Sequence, residues 1–224
     1  MTGRLRLVLF DCDGTLVDSQ RSIVAAMTTA WRGAGLPDPD PASVRRIVGL
    51  SVVEGMARLL PRESTVAHEA LAVRYRQAFF EQRRAGDVSE PLYPGALPAL
   101  DALADAGVLL GVATGKSRRG LVATLEHHGI LDRFVTLQTA DGGPSKPHPD
   151  MVHRALRETG ADAADTVVIG DTVFDIRMAR AARARSIGVA WGYHDIAELQ
   201  GAGADRLADA FDAVPGAVSA LLAG

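Results

Sequence analysis

Short apolar runs alternate along this chain with stretches of helical periodicity, and that alternation predicts the fold. The runs are Leu5–Phe10, Val108–Ala113, Phe134–Thr139, Thr166–Gly170 and Ser186–Ala190, each bounded by Gly, Asp or Thr. Runs this short and this apolar match strands buried on both faces. Between the later runs the apolar spacing changes to that of a helix. Leu97, Leu100, Leu103 and Ala104 form one stripe closed by Gly107. Leu121, Leu125 and His128 form a second, closed by Gly129, and Met151, Ala155 and Leu156 a third that ends near Gly160. Glycine just past a helix suits the left-handed residue that ends many helices. Strands alternating with helices predict βαβ units and a parallel sheet.

Residues 18 to 90 break the rhythm, because they contain no convincing strand. Ile23, Met27, Ala30 and Trp31 mark a helix ending near Gly35, and Pro37, Pro39 and Pro41 make a turn-rich link. Val44–Val48 and Val52–Leu60 read as short helices. Leu71, Tyr75, Ala78 and Phe79 stripe a longer one, with Ser64 as N-cap and Gly86 beyond its end. The expected organisation is an α/β domain formed by residues 1–17 and 91–224, with a helical insertion over 18–90. An insertion placed there can close over a site as a lid.

The 224 residues are 47% hydrophobic, enough to bury a real core. A net charge of −3 without a long basic run argues against nucleic acid as a partner. The lone cysteine, Cys12, allows no internal disulfide framework and fits a reducing compartment. The apolar run after Arg4 and Arg6 is too short for a signal sequence, and no apolar stretch is long enough to span a bilayer. The expectation is a cytoplasmic protein that does not bind membranes.

The polar residues at the ends of the predicted strands carry the chemistry. The first strand delivers Asp11 and Asp13, the second Thr114, Gly115 and Lys116, and the fourth Gly170 and Asp171, with Asp175 four residues on. The loop after the third presents Ser145-Lys146-Pro147. Parallel strands would bring all of these to one edge of the sheet, where α/β proteins bind ligands. Four carboxylates in one cleft need a cation, since like charges about 4 Å apart repel by roughly 4 kcal/mol at an effective dielectric near 20. An oxygen-only ligand set without His or Cys points to Mg²⁺. Mg²⁺ commonly bridges carboxylates to phosphate, so the cluster suggests phosphoryl transfer. The Thr114 hydroxyl, Gly115 N–H and Lys146 ammonium can hold phosphate oxygens. Asp11 can attack phosphorus to form an aspartyl-phosphate, and Asp13 can protonate the leaving oxygen and then activate water.

Asp11-Cys12-Asp13-Gly14-Thr15-Leu16, Thr114-Gly115, Ser145-Lys146-Pro147 and Gly170-Asp171 with Asp175 resemble, in order, the four motifs of the haloacid-dehalogenase-like superfamily of phosphohydrolases. Val112–Lys116, Lys146-Pro147-His148-Pro149 and Trp191-Gly192-Tyr193 look most like the phosphoglycolate phosphatase-like branch. The resemblance implies a Rossmann-like parallel sheet of strand order 5-4-1-2-3 and makes the insertion similar to a C1-type helical cap. It implies Asp11 as nucleophile and Mg²⁺ ligand, and Asp13 as acid/base with its backbone carbonyl on the metal. It further implies Thr114 on the phosphate, Lys146 steadying nucleophile and phosphate, Asp171 as the metal carboxylate and Asp175 in support. The expected activity is Mg²⁺-dependent hydrolysis of a small phosphorylated metabolite resembling phosphoglycolate, by a monomer or homodimer. The alternatives are a phosphomutase of the β-phosphoglucomutase type and a non-catalytic phospho-accepting domain. A dehalogenase is disfavoured because it needs no acid at position 13.

One position departs from the family pattern: Arg183 stands where a glycine is usual, and a glycine there would suit a helix end with positive φ. The Gly-rich loop Asp141–Pro144 lacks a Walker pattern and is read as a lead-in to Lys146. Cys12 is expected to point into the sheet, and His127, His128, His148 and His153 to be structural or surface residues. Arg118 and Arg119 are placed to meet a substrate carboxylate or the insertion, with a solvated helix face as the equal alternative. Arg45, Arg46 and Gly49 are the expected substrate contacts within it.

Overall fold

Leu7, Val8, Leu9 and Phe10 are all fully buried, and in the computed structural model, which describes residues 4–223, they form the central strand β1 (Leu7–Phe10). The predicted segments 1–17 and 91–224 extend past those residues at their outer ends. Together with β1, strands β2 (Leu109–Thr114), β3 (Thr136–Thr139), β4 (Thr166–Gly170) and β5 (Arg185–Val189) match the five apolar runs to within two residues at each end. All pair in parallel, in the order β3-β2-β1-β4-β5. A sixth strand, β6 (Arg206–Ala208), adds to the edge beside β5 and extends the predicted five-strand order.

The strand side chains alternate between two cores, as the pleat requires. Val8 and Phe10 join Leu100, Leu103, Leu121, Leu125, Val214 and Val218 on one face. Those residues come from α5 (Ala96–Asp105), α6 (Arg118–His127) and α10 (Val214–Leu222). Leu7 and Leu9 face Met151, Val152, Ala155, Met178 and Ala179 on the other. These belong to α7 (Asp150–Thr159) and α8 (Val173–Ala181); α9 (Ile196–Ala202) packs on α8 through Leu199 and Ile176. Burying a sheet on both faces against helices is what makes its strands so uniformly apolar.

Between β1 and α5 lie only helices: α1 (Gln20–Gly33), α2 (Pro41–Arg46), α3 (Val52–Leu59) and α4 (Thr65–Ala85). The Ser64 hydroxyl accepts from Ala67 N–H at the start of α4, and Gly86 ends it in the left-handed region. Ile23, Met27, Trp31, Val44, Met56 and Leu71 give these helices a core of their own. Among the described residues no helix is long and apolar enough to cross a membrane.

At the end of α8 the structure realises the tension foreseen at Arg183. Arg183 sits at φ 59, the one non-glycine residue with positive φ among those described. Its N–H donates to the Arg180 carbonyl and that of Ala184 to Ala179, a double-bonded helix end of the kind glycine usually completes.

Candidate active site

The register of the three central strands builds the site. Phe10 pairs with Val112 on one side and Ile169 on the other. The residues just beyond these, Asp11, Thr114 and Asp171, therefore emerge together at the carboxyl edge of the sheet. Chain order reverses at β1, with β2 on one side and β4 on the other, which opens a crevice at this edge.

Asp11 is buried. Its Oδ1 accepts from the Cys12 N–H at 2.7 Å and lies 2.9 Å from Lys146 Nζ, while its Oδ2 has no hydrogen-bond partner. Lys146 is completely buried and also lies 2.6 Å from Asp175 Oδ1. Neither Lys146 contact is angled as a hydrogen bond, so charge holds both. The Lys146–Pro147 bond is cis. Asp175 Oδ2 accepts from the Thr172 N–H and hydroxyl, which ties it to the first turn of α8. Asp171 accepts from the Thr15 hydroxyl at 2.7 Å and the Tyr193 N–H at 2.9 Å. It is wedged so tightly that a Cβ at either Gly14 or Gly192 would overlap its carboxylate.

Carboxylate oxygens of Asp11, Asp171 and Asp175 lie within 4.8 Å of one another. Burial pushes the Asp11 carboxyl up to about 7 against the pull of Lys146, with Asp175 adding to the rise. Burial, then Asp11 and Asp175, drives Asp171 well above the ordinary carboxylate range. Burial disfavours the Lys146 ammonium, but Asp11 and Asp175 outweigh it and hold its pKa above that of a free lysine. One lysine against three buried carboxylates leaves negative charge uncompensated, and Asp11 Oδ2 points at no donor. An oxygen-ligated divalent cation fits both facts.

Asp13 faces a different set of partners. Its Oδ1 accepts from the Ser19 hydroxyl at 2.6 Å and from Lys116 Nζ at 2.7 Å. Lys116 also reaches Glu90 Oε1 at 2.8 Å, and the other Glu90 oxygen accepts from Arg83 and from the Thr124 hydroxyl. The Ser19 hydroxyl further lies 3.3 Å from that of Tyr193. These contacts give Ser19, Glu90, Lys116 and Tyr193 places in the site that sequence reasoning did not assign. Lys116, adjacent to Gly115, and Tyr193, in the Trp191-Gly192-Tyr193 motif, carried a readable signal; Ser19 and Glu90 carried none.

Thr114 is buried at the end of β2, and its hydroxyl accepts from the Lys116 N–H at 3.3 Å. Gly115 lies beneath the insertion. A Cβ there would stand 2.7 Å from the Gly49 carbonyl oxygen and closer still to that of Leu50. The next residue, Ser51, donates its N–H to the Ser145 hydroxyl at 2.7 Å. A cavity of about 90 Å³ lies between insertion and sheet, and Asp11, Asp13, Thr114 and Gly115 line its floor; Lys146, Asp171 and Asp175 do not reach it.

Of the three expected substrate contacts in the insertion, Gly49 lines this cavity and the two arginines do not. Arg46 is drawn instead into an ion pair with Glu198 of α9, and Arg45 at the end of α2 stands outside the lining. Arg119 meets the insertion as expected, 4.0 Å from the Phe80 ring centroid, whereas Arg118 turns back to the Leu137 carbonyl. Cys12 is buried in the sheet core, His127 and His153 are exposed, and His128 binds the Glu90 carbonyl. His148 accepts from the Asp150 N–H, and Asp141 caps α6 through the Arg118 N–H.

A family model described as haloacid dehalogenase-like hydrolase matches residues 8–189, and the chain belongs to that family. It is 37% identical over 217 residues to a probable phosphatase, IndB, of Dickeya dadantii (strain 3937), covering 96% of this chain and 94% of that one. It is 30% identical to a phosphoglycolate phosphatase of Vibrio vulnificus (strain YJ016), covering 92% of each. Among solved structures, a predicted phosphatase from Clostridium acetobutylicum superposes with a TM-score of 0.86 at 25% identity, covering 96% of this chain and 99% of that one. CbbY from Rhodobacter sphaeroides in complex with phosphate superposes with a TM-score of 0.80 at 25% identity, covering 92% and 95%. Within its family this chain is a phosphatase, a phosphoric monoester hydrolase, on the phosphoglycolate phosphatase-like branch.

Proposed function

We propose that this phosphatase hydrolyses a small phosphate monoester through an aspartyl-phosphate formed on Asp11, with Mg²⁺ as cofactor. The observation that carries this reading is Asp11 Oδ2: a buried carboxylate oxygen with no partner in the protein, on a residue that lines the cavity floor. A fixed, desolvated oxygen of this kind is prepared for an incoming electrophile or a metal. Lys146 holds the other oxygen of Asp11 and thereby fixes its orientation. Asp13, steered by Ser19 and Lys116, gives a proton to the departing alkoxide and takes one from the water that cleaves the acyl phosphate. The Thr114 hydroxyl and Gly115 N–H hold the transferring phosphoryl oxygens. Side chains of Asp11 and Asp171 and the Asp13 carbonyl would hold Mg²⁺, with Asp175 supporting through Lys146. When bound, that ion would supply positive charge that offsets the negative charge of the carboxylates and of the phosphoryl group.

Residues 18–90 act as a cap over a core of residues 1–17 and 91–224, and the enzyme works in the cytoplasm on a phosphorylated metabolite. The names of relatives make phosphoglycolate the first compound to assay. The test is phosphate release from a panel of monoesters, with Mg²⁺ and with EDTA. Asp11→Asn is expected to lose at least about a thousandfold in kcat while keeping its circular dichroism spectrum. Turnover that survives either chelation or this substitution refutes the metal or the nucleophile assignment, respectively.

A further inference from the structure

The cavity above Asp11 has walls unlike its floor. Ile23 and Met27, one turn apart on α1, face it, as do Tyr75 and Phe79, one turn apart on α4; Ile47 and Val52 complete the wall. Ile23 and Met27 are buried and also belong to the insertion's own core with Met56, Leu71 and Ala72, whereas Ile47, Val52, Tyr75 and Phe79 remain half-buried and border open space.

The cations of the lining are already committed or lie in water. Lys116 is held between Asp13 and Glu90, and Arg83 also pairs with Glu90, so two cations answer two carboxylates. Arg76, the remaining cationic side chain of the lining, is exposed. A carboxylate placed beside the phosphoryl group would therefore enter a largely apolar space whose one unpaired lining cation, Arg76, stands in water, so little there offsets its desolvation.

We infer that the alcohol portion of the natural substrate is apolar, a hydrocarbon chain or ring lying against Ile23, Met27, Ile47, Val52, Tyr75 and Phe79, and that phosphoglycolate is a poor substrate. This rests on the phosphatase reading above and names the substrate class of that site. It also departs from what the names of the relatives suggest. An apolar leaving group gains affinity by leaving water, roughly fourfold per buried methylene.

The experiment measures kcat/KM of the wild-type protein, with Mg²⁺, for methyl, ethyl, butyl and hexyl phosphate, benzyl phosphate and phosphoglycolate. All are esters of alcohols, which limits differences in leaving-group reactivity. The expected result is a rise of about fourfold per methylene until the cavity is filled, with the best alkyl or benzyl ester at least about tenfold above phosphoglycolate. Val52→Arg, which adds a cation to the wall, should shift the ratio of benzyl phosphate to phosphoglycolate toward the acid. A series flat in chain length, or phosphoglycolate as the best substrate, overturns the inference while leaving the phosphatase reading intact. No phosphate release from any ester overturns both.

Discussion

Replacing Gly115 with alanine would test how closely the insertion is fitted to the catalytic edge. The added methyl would stand 2.7 Å from the Gly49 carbonyl oxygen, closer still to that of Leu50, and 2.8 Å from the Leu50 carbonyl carbon. All three are backbone atoms, so no side-chain rotation relieves the overlap. Restoring ordinary contact requires the Gly49–Ser51 segment to retreat by about 1 Å. That retreat stretches the 2.7 Å bond from Ser51 N–H to the Ser145 hydroxyl past useful range. Its loss costs about 1–3 kcal/mol, because both groups sit in a part-buried interface. For a chain of this size that lowers Tm by about 2–10 °C. A displacement of about 1 Å beside the reacting groups is also enough to cost on the order of 100-fold in kcat/KM. Thermal unfolding by circular dichroism and steady-state phosphate release read the two effects separately. A Gly115→Ala protein with an unchanged Tm and kcat/KM within about threefold of wild type would refute the packing argument, because no other low-strain response is open to backbone atoms.

Other outcomes follow from features away from Gly115. Arg183→Gly should raise stability by about 0.5–1 kcal/mol by relieving the left-handed conformation, measured by urea denaturation, and an unchanged midpoint would show that the turn carries no strain. Gly216→Ala should do likewise, by about 0.5–1 kcal/mol, since Gly216 lies within α10 and a Cβ there meets nothing within 4 Å. Glu90→Gln should destabilise the protein by about 2–4 kcal/mol near neutral pH, because it weakens the hold on the largely buried Lys116 and the part-buried Arg83. Burial would raise the Glu90 carboxyl, yet the charges of Lys116 and Arg83 hold it below its ordinary value. Its contribution is therefore present above the unfolded pKa and is lost as pH falls through the folded one. The gap between wild type and Glu90→Gln should narrow on acidification below pH ~4.5, and a gap that widens would contradict the ion-pair account.

The parts of the structure legible in the sequence were those written in local pattern. Five strands announced themselves because burial on both faces leaves almost no polar residue in them, and Ser64 and Gly86 bracketed α4 because caps have specific chemistry. Asp11, Thr114, Lys146 and Asp171 could be placed at one edge because each follows a strand end and parallel pairing aligns such ends. Strand β6 escaped because three residues, of which only Ala208 is buried, carry no periodicity. Glu90 escaped because it lies in a short, irregular link before Pro91, and its importance comes from the approach of Lys116 and Arg83 from distant parts of the chain. The arginines of the insertion misled for a related reason: charge attracts notice in a sequence, but Arg46 is satisfied by Glu198, 152 residues away, and the cavity wall is apolar.

The Gly49–Ser51 segment touches the core at three points that come from three different strand ends. A Cβ at Gly49 would fall 3.1 Å from the Thr172 hydroxyl, the Gly49 and Leu50 carbonyls rest over Gly115, and Ser51 binds Ser145. This tripod limits what recombination can do with the molecule. An insertion transplanted from a relative would seat as this one does only if its own version of this tripeptide fitted the same three footholds. Any exchanged insertion would have to match the host along this short stretch of backbone.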